Sequence, residues 1–330
     1  IGREHPASVL DAQIDRAAAS HGGLVLVTGE AGIGKTSLLA GAAGRARGDG
    51  VLVLGGSCWD SAAAPGYWPW TQVVRALARA TAGEEWAGLQ KPAGPKLSVL
   101  LGEPPPPGAP PAGPTPPEAQ PAPGGGGGGA DGFRLYDAVT TALVAASQRR
   151  PVMVVLDDLH WADPASLRLL DFAARHTWFE RLLLVGAYRD VEVEGGEHPL
   201  RDLLDALTAQ ATVVTLTGLG PEEVGELMAR TAGRRPEPGL VAEVHRRTGG
   251  NPFFVEQTAR LWQGGGTVTT IAPGVRTAVR HRLSLLSPPV VRMLTAAAVL
   301  GREFHRRVLA ATTRTPVPHV DRLLERALAA

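Results

Sequence analysis

The octapeptide "GEAGIGKT", residues 29–36, limits what this chain can fold into more than any other stretch. It follows the apolar run "GLVLVTG" and leads into "SLLAGAAGRAR", whose Leu38 and Leu39 fall on one helical face. The pattern is G-x-x-x-x-G-K-[ST]. Glycines at these positions let the backbone wrap a phosphate chain with its N–H groups inward, while the lysine reaches the outer phosphates and the hydroxyl takes Mg²⁺. A helix starting at the same point turns its positive end toward the same anion. The candidate phosphate ligands are therefore Gly29, Glu30, Ala31, Gly32, Ile33, Gly34, Lys35, Thr36 and Ser37, with Thr36 also a candidate for Mg²⁺. Lys35 is one of three lysines, with Lys91 and Lys96, in a chain whose Lys+Arg total is 33.

The surrounding chain supplies the context that such a loop needs. "PASVLDAQIDRAAAS" (6–20) reads as a helix, "VLVLGG" (51–56) as a buried strand, and "TQVVRALARA" (71–80) as a helix. Residues 103–130 are Pro/Gly-rich and cannot pack a core, which predicts a low-complexity insertion. Helix "FRLYDAVTTALVAASQ" then leads to strand "VMVVL". Next come helix "PASLRLLDFAARH", strand "RLLLVGAY", helix "HPLRDLLDALTAQ" and strand "TVVTLTG". Uniformly apolar strands alternating with helices predict an α/β domain over 1–220, a parallel sheet with helices on both faces. After residue 220 the signals are all helical, through "GVRTAVRHRLSLLS".

Composition excludes some classes. A net charge of +1 advertises neither a nucleic-acid surface nor an acidic tail. The single cysteine, Cys58, rules out an intrachain disulfide and fits a reducing cytoplasm. Apolar runs are too short to cross a bilayer, so no membrane partner is expected. The chain opens on Ile1 and closes inside the helical "VDRLLERALAA", which reads as a piece of something longer.

A phosphate loop needs an acidic residue at a nearby strand end to hold Mg²⁺. "VMVVLDDLHWADP" (152–164) supplies it. Asp157, the first carboxylate past the apolar run, is the candidate partner of Mg²⁺, and Asp158 is placed to orient the attacking water. His160 reads either as a nucleotide sensor or as a turn histidine with its hydrogen bond satisfied. Trp161 reads as packing, and Asp163–Pro164 as the N-cap and first position of a helix. Arg189, just past "LLLVGAY", reads either as a ligand of the outer phosphate or as a surface partner of Asp190.

Taken in order, "GRE", "GEAGIGKT", "LDDLHWADPASLRLL", "GAYRD" and "GGNPFFVEQ" resemble the STAND class of signal-transduction ATPases. The likeness is to the ATPase modules of large LuxR-type bacterial transcriptional regulators, and "CWDSAAAPGYWPWTQVVRAL" is similar to a segment common in them. The resemblance implies a P-loop NTPase sheet in which the strand before Arg189 flanks the phosphate-loop strand. It further implies a helical lid (221–272) and a truncated winged-helix region (273–330). In that family Arg189 would sense the γ-phosphate, Pro252 would pack on adenine, and Gly2 and Arg3, beside Ile1, would lie on the base from the other side. ADP would hold the lid closed and the module inactive; an inducer or partner would release it, ATP with Mg²⁺ would enter, and the module would self-associate, with slow hydrolysis as the reset. An inducer or partner protein, and DNA, would be met only through domains absent from this stretch. Asp158 stands where related AAA+ enzymes often carry Glu, and the candidate histidines for contact with ADP are His281, His305 and His319. The competing reading is a DNA-acting AAA+ ATPase of the origin-recognition kind, whose winged helix contacts DNA. Steeply salt-dependent binding of duplex DNA separates the two.

Overall fold

The computed structural model describes residues 1–60, 65–81, 83–93, 96–102, 130–194, 198–264, 283, 286–301 and 304–328. The predicted insertion at 103–130 lies outside them apart from Ala130, as does nearly all of the helix expected over 274–287, His281 included.

Five strands form one parallel sheet. They are β1 (Gly23–Thr28), β2 (Leu52–Ser57), β3 (Val152–Asp157), β4 (Leu182–Ala187) and β5 (Thr212–Thr215), in the order β2-β3-β4-β1-β5. β4 lies between β1 and β3, with Val25 opposite Val185 and Val154 opposite Leu184. The strand that precedes Arg189 therefore flanks the strand that precedes the phosphate loop.

Helices cover both faces, and the strands divide their side chains between two cores. Leu24, Leu26, Val154 and Leu184 point into one core, with α3 (Trp68–Ala80), α6 (Ala130–Ser147) and α7 (Pro164–Ala174). Val25, Val27, Met153 and Val185 point into the other, with α1 (Glu4–Ala18) and α2 (Lys35–Gly48). Because side chains alternate along a strand, a sheet covered on both faces needs apolar residues at every position. Each fully buried Leu or Val contributes about 1.5–3 kcal/mol. β2 departs from the uniform burial expected of it. It is an edge strand, and Gly55 and Ser57 are exposed.

Boundaries shift by a few residues where caps intervene. The first helix starts at Glu4 and ends at Ala18, and the helix expected over 198–210 forms only as α9 (Arg201–Thr208). Three short helices had no sequence reading: α4 (Glu84–Ala93), α5 (Lys96–Leu101) and α8 (Asp190–Glu194).

After β5 the chain is helical. α10 (Pro221–Ala232), α11 (Pro238–Thr248) and α12 (Pro252–Gln263) enclose a small core of Leu219, Val224, Met228, Val244, Val255 and Ala259. α13 (Pro288–Leu300), α14 (Arg306–Thr313) and α15 (Val317–Leu328) enclose another, including Val290, Met293, Leu309 and Val320. His305 caps the start of α14 through its own ring, and His319 lies 3.3 Å from Arg322. Among the described residues no helix is long and apolar enough to cross a membrane.

Candidate functional site

The site lies where β1, β3 and β4 end, the edge at which open α/β sheets collect ligands. Residues 29–34 turn from β1 into α2. Gly34 caps that helix at φ +105°, a conformation that costs an L side chain dearly and glycine little. Gly32, at φ +76°, has a second constraint: a Cβ there would come within 2.8 Å of Phe253 in α12. The loop can thus approach the helical region only because residue 32 has no side chain.

Lys35 is buried, at 7% exposure, and its ammonium donates to the Gly29 carbonyl at 2.5 Å and the Glu30 carbonyl at 2.8 Å. Burial, and then Arg189, hold it below the usual lysine range. Thr36 donates its hydroxyl to Asp157 Oδ2 at 2.7 Å, across 121 residues of sequence. Asp157 is the last residue of β3, and its Oδ1 accepts the Asp158 backbone N–H at 2.9 Å. Two hard oxygen donors therefore meet at one point. Among the described residues no group of three or more His, Cys, Asp or Glu is placed to hold a metal ion. A cation held here would complete its shell with water and phosphate oxygens, which suits Mg²⁺.

Asp158 adopts the left-handed conformation (φ 56°, ψ 44°) at the head of a 3₁₀ turn over Leu159–Trp161. Burial, and then Asp157, push its carboxyl above the usual range. It lines a cleft of about 350 Å³ together with Lys35, Thr36, Arg189, Phe253 and Glu256. A second cleft of about 500 Å³ shares Gly34, Ser37, Pro252 and Glu256 with the first, and its walls include Ile1, Arg3, Leu38 and Leu219. Both clefts are edged by charge, and the second adds apolar walls in Ile1, Ile33, Leu38, Leu219 and Leu227.

The residues singled out from the sequence divide accordingly. Thr36, Asp157 and Lys35 are brought together, with Asp158 and Arg189 at the same cleft. Arg3 donates to the Ile33 carbonyl at 2.9 Å and, with Ile1, borders the second cleft. Gly2 instead packs on the start of the helical region, where a Cβ would meet Glu223 at 2.8 Å and Leu219 at 2.9 Å. Pro252 borders both clefts. It is also the first residue of α12, capped by Asn251 Oδ1, which accepts the Phe253 N–H at 3.2 Å. Asp163 caps α7 as read, accepting from Ser166 N at 3.0 Å, and Tyr67 N also donates to it, at 3.1 Å.

Two readings are corrected. Arg189 pairs with Glu192 at 2.6 Å, not with Asp190. His160 is no satisfied turn residue. It is 3% exposed, and neither ring nitrogen has a hydrogen-bond partner. The 3₁₀ turn folds the ring inward, where the Glu192 and Asp158 carboxylates lie 3.5 and 3.9 Å from Nε2.

Burial, with help from Arg189 and Lys35, pushes the His160 pKa down to about 3. A base whose folded pKa lies below its unfolded value contributes stability above the unfolded pKa. That contribution fades as pH falls toward the folded one. Thermal melts between about pH 7 and 4 should therefore show His160→Phe losing less stability on acidification than the parent. Parallel curves would mean that His160 does not stay neutral in the fold.

A family model described as the AAA ATPase domain matches residues 1–185, more than half of the chain. The chain belongs to the AAA ATPase domain family. The match spans the phosphate loop and the acidic end of β3. An uncharacterized protein of Rhizobium meliloti (strain 1021) is 27% identical over 264 residues, 78% of this chain and 24% of that protein. The AAA ATPase chain thus spans about a quarter of the curated relative it matches. Among solved structures, a Walker-type ATPase of Pyrococcus abyssi superposes with TM-score 0.58 at 17% identity, covering 100% of this chain and 89% of that one. The ORC2 protein of Aeropyrum pernix, solved in ADPNP–ADP complexes, gives 0.57 at 14%, covering 99% and 85%. At these identities the likeness is one of fold.

Sequence reasoning missed three polar side chains of this AAA ATPase module: Glu192, Glu256 and the amide of Asn251. Glu256 follows Pro252 by four residues, so helical spacing alone places it on the same face. Asn251 Nδ2 donates to the Ala31 carbonyl at 3.0 Å, and Phe253 N to the Gly32 carbonyl at 3.3 Å. No local signal announces either bond.

Proposed function

We propose that this AAA ATPase module binds ATP and ADP with Mg²⁺ and works as a nucleotide-state switch of the STAND kind, with slow hydrolysis as its reset. One observation carries the reading most directly. The start of α12 is bonded to the phosphate loop itself, through Asn251 to Ala31 and Phe253 to Gly32. A change in what fills the loop is thereby felt by the helical region, which acts as a lid over residues 221–272.

The roles follow from chemistry. The backbone of residues 29–34 cradles phosphate, and Lys35 exchanges a loop carbonyl for a phosphate oxygen. Thr36 and Asp157 hold Mg²⁺, which neutralises charge on the outer phosphates. Asp158 orients water for attack, and Arg189 meets charge on the γ-phosphate. Pro252 and Leu219 on one side, with Ile1 and Arg3 on the other, receive the base. Gly2 lets the N-terminal segment lie close to Leu219. As a module of a longer regulator, it would self-associate in the ATP state and meet an inducer and DNA through other domains.

Three arginines of the lid are tied up in ion pairs, which counts against the DNA-binding alternative at those positions. Arg246 and Arg247 both pair with Glu243, and Arg260 pairs with Glu256 at 3.5 Å. Cations committed to neighbouring carboxylates offer little to a phosphate backbone.

The deciding experiment is to denature the purified protein and identify what it releases, with Lys35→Ala as control. ADP or ATP from the parent and little from the variant supports the switch, and two empty samples would end it. The lid contact has its own test. Asn251→Ala removes a helix cap, a loss of about 1 kcal/mol, together with the tie to Ala31. It should lower the melting temperature by a few degrees, roughly 2–8 °C, and release bound nucleotide faster. Unchanged release would mean that the lid does not report on the loop.

A further inference from the structure

His160 and Trp161 lie between the acidic strand end and its next helix, yet none of the roles above uses them. Their surroundings give them one. Arg189 emerges from β4 with its guanidinium carbon 4.9 Å from the centre of the Trp161 ring, within cation–π range. One of its terminal nitrogens donates to Glu192 Oε1 at 2.6 Å. The other oxygen of Glu192 lies 3.5 Å from His160 Nε2, and that nitrogen is 3.9 Å from Asp158 Oδ1. His160 itself packs on Trp161, with ring centroids 4.6 Å apart. The guanidinium is therefore held on one face and at one nitrogen. Among the described residues its remaining N–H donors make no hydrogen bond, and the residue borders the phosphate cleft.

We propose that Glu192, Trp161 and His160 form a seat that positions Arg189 with its free edge toward the terminal phosphate, and so set how strongly the module prefers a nucleoside triphosphate to a diphosphate. The inference rests on the nucleotide-binding reading above. An unrestrained arginine loses much rotamer freedom when it binds, whereas one already fixed by a stacked ring and a carboxylate loses little. A diphosphate gains nothing from this, because it has no group at that edge. Were Glu192 instead to act through its negative charge near the cleft, removing that charge would favour the triphosphate. The two effects have opposite signs, so experiment can separate them.

The test is equilibrium binding of ADP and of a non-hydrolysable ATP analogue, both with Mg²⁺, to the parent, Glu192→Ala and Glu192→Gln. Each change is repeated on an Arg189→Ala background. Positioning predicts that Glu192→Ala lowers the triphosphate-over-diphosphate preference by about tenfold, the scale of one ordered long side chain. ADP affinity should stay within about twofold of the parent. Glu192→Gln, which still accepts a hydrogen bond, should keep the preference. On the Arg189→Ala background neither change should matter. If Glu192→Ala does not fold, Trp161→Leu should lose the preference and Trp161→Phe should retain it. An unaltered preference in the truncated variants, a rise in both Glu192 variants, or an equal loss with and without Arg189 would each overturn the seat. A parent that binds neither nucleotide would instead overturn the nucleotide reading on which the seat rests.

Discussion

Lys35→Ala should cost the protein its nucleotide. The ammonium is buried and already shared between the Gly29 and Glu30 carbonyls, so the loop holds it over the cleft without help from solvent. Exchanging a carbonyl for a phosphate oxygen gains a charge-assisted bond, about 1.5–3 kcal/mol each. The loss in ADP affinity should therefore be about 10–100-fold for each bond forgone. Stability should change far less. Burial already disfavours the ammonium, as its lowered pKa records, and alanine suits the first turn of α2. Calorimetric titration with ADP, alongside a melting curve, checks both halves. Equal ADP affinity in the parent and a folded variant would remove the phosphate role from Lys35.

Asp158→Asn should leave binding intact and remove turnover. Position 158 sits at φ 56°, where asparagine is among the best tolerated residues, so the backbone and the 3₁₀ turn should persist. What disappears is a carboxylate next to Lys35 and Arg189 in the cleft. General-base contributions are typically about 10²–10⁴-fold, and the fall in turnover should lie in that range while ADP affinity stays within about threefold. Because burial and Asp157 raise the Asp158 pKa, its basic form fills in at a higher pH than an ordinary aspartate. Turnover in the parent should accordingly decline toward acid sooner than for an unshifted aspartate. Parental turnover by the variant would move the base elsewhere, and Glu256, the other carboxylate bordering that cleft, would be the next to replace.

Some of this site was readable because its chemistry is local. The octapeptide specifies its own turn: glycine at 34 because φ is +105°, lysine and threonine because both open the helix that follows. The strand before Asp157 could be read from apolar residues running unbroken into an acid, and Asp157, opposite Ser57, is indeed the last residue of that strand. The N-caps at Asp163 and Asn251 were likewise written in the residues beside them. Arg189 was readable as a position but not as a contact. Its partner depends on the five-residue helix after β4, which brings Glu192 within 2.6 Å and leaves Asp190 aside. The reading of His160 as a turn residue with its hydrogen bond satisfied failed for the same reason: the turn after β3 fixes where the ring goes, and nothing in the dipeptide says that it goes inward.

By itself, then, the sequence determined the elements whose causes lie within a turn or a strand length. These are the phosphate loop, the doubly buried strands, the acidic strand end, and the switch to helices after residue 220. Only the tertiary structure decided which of these meet. Thr36 reaches Asp157 across 121 residues, and Asn251 reaches Ala31 across 220. Such contacts are set by the packing of whole layers, β3 and β4 beside β1 and the helical region against the loop. Hydrophobic burial that drives this packing is non-directional, so it writes no mark on the polar residues it brings together.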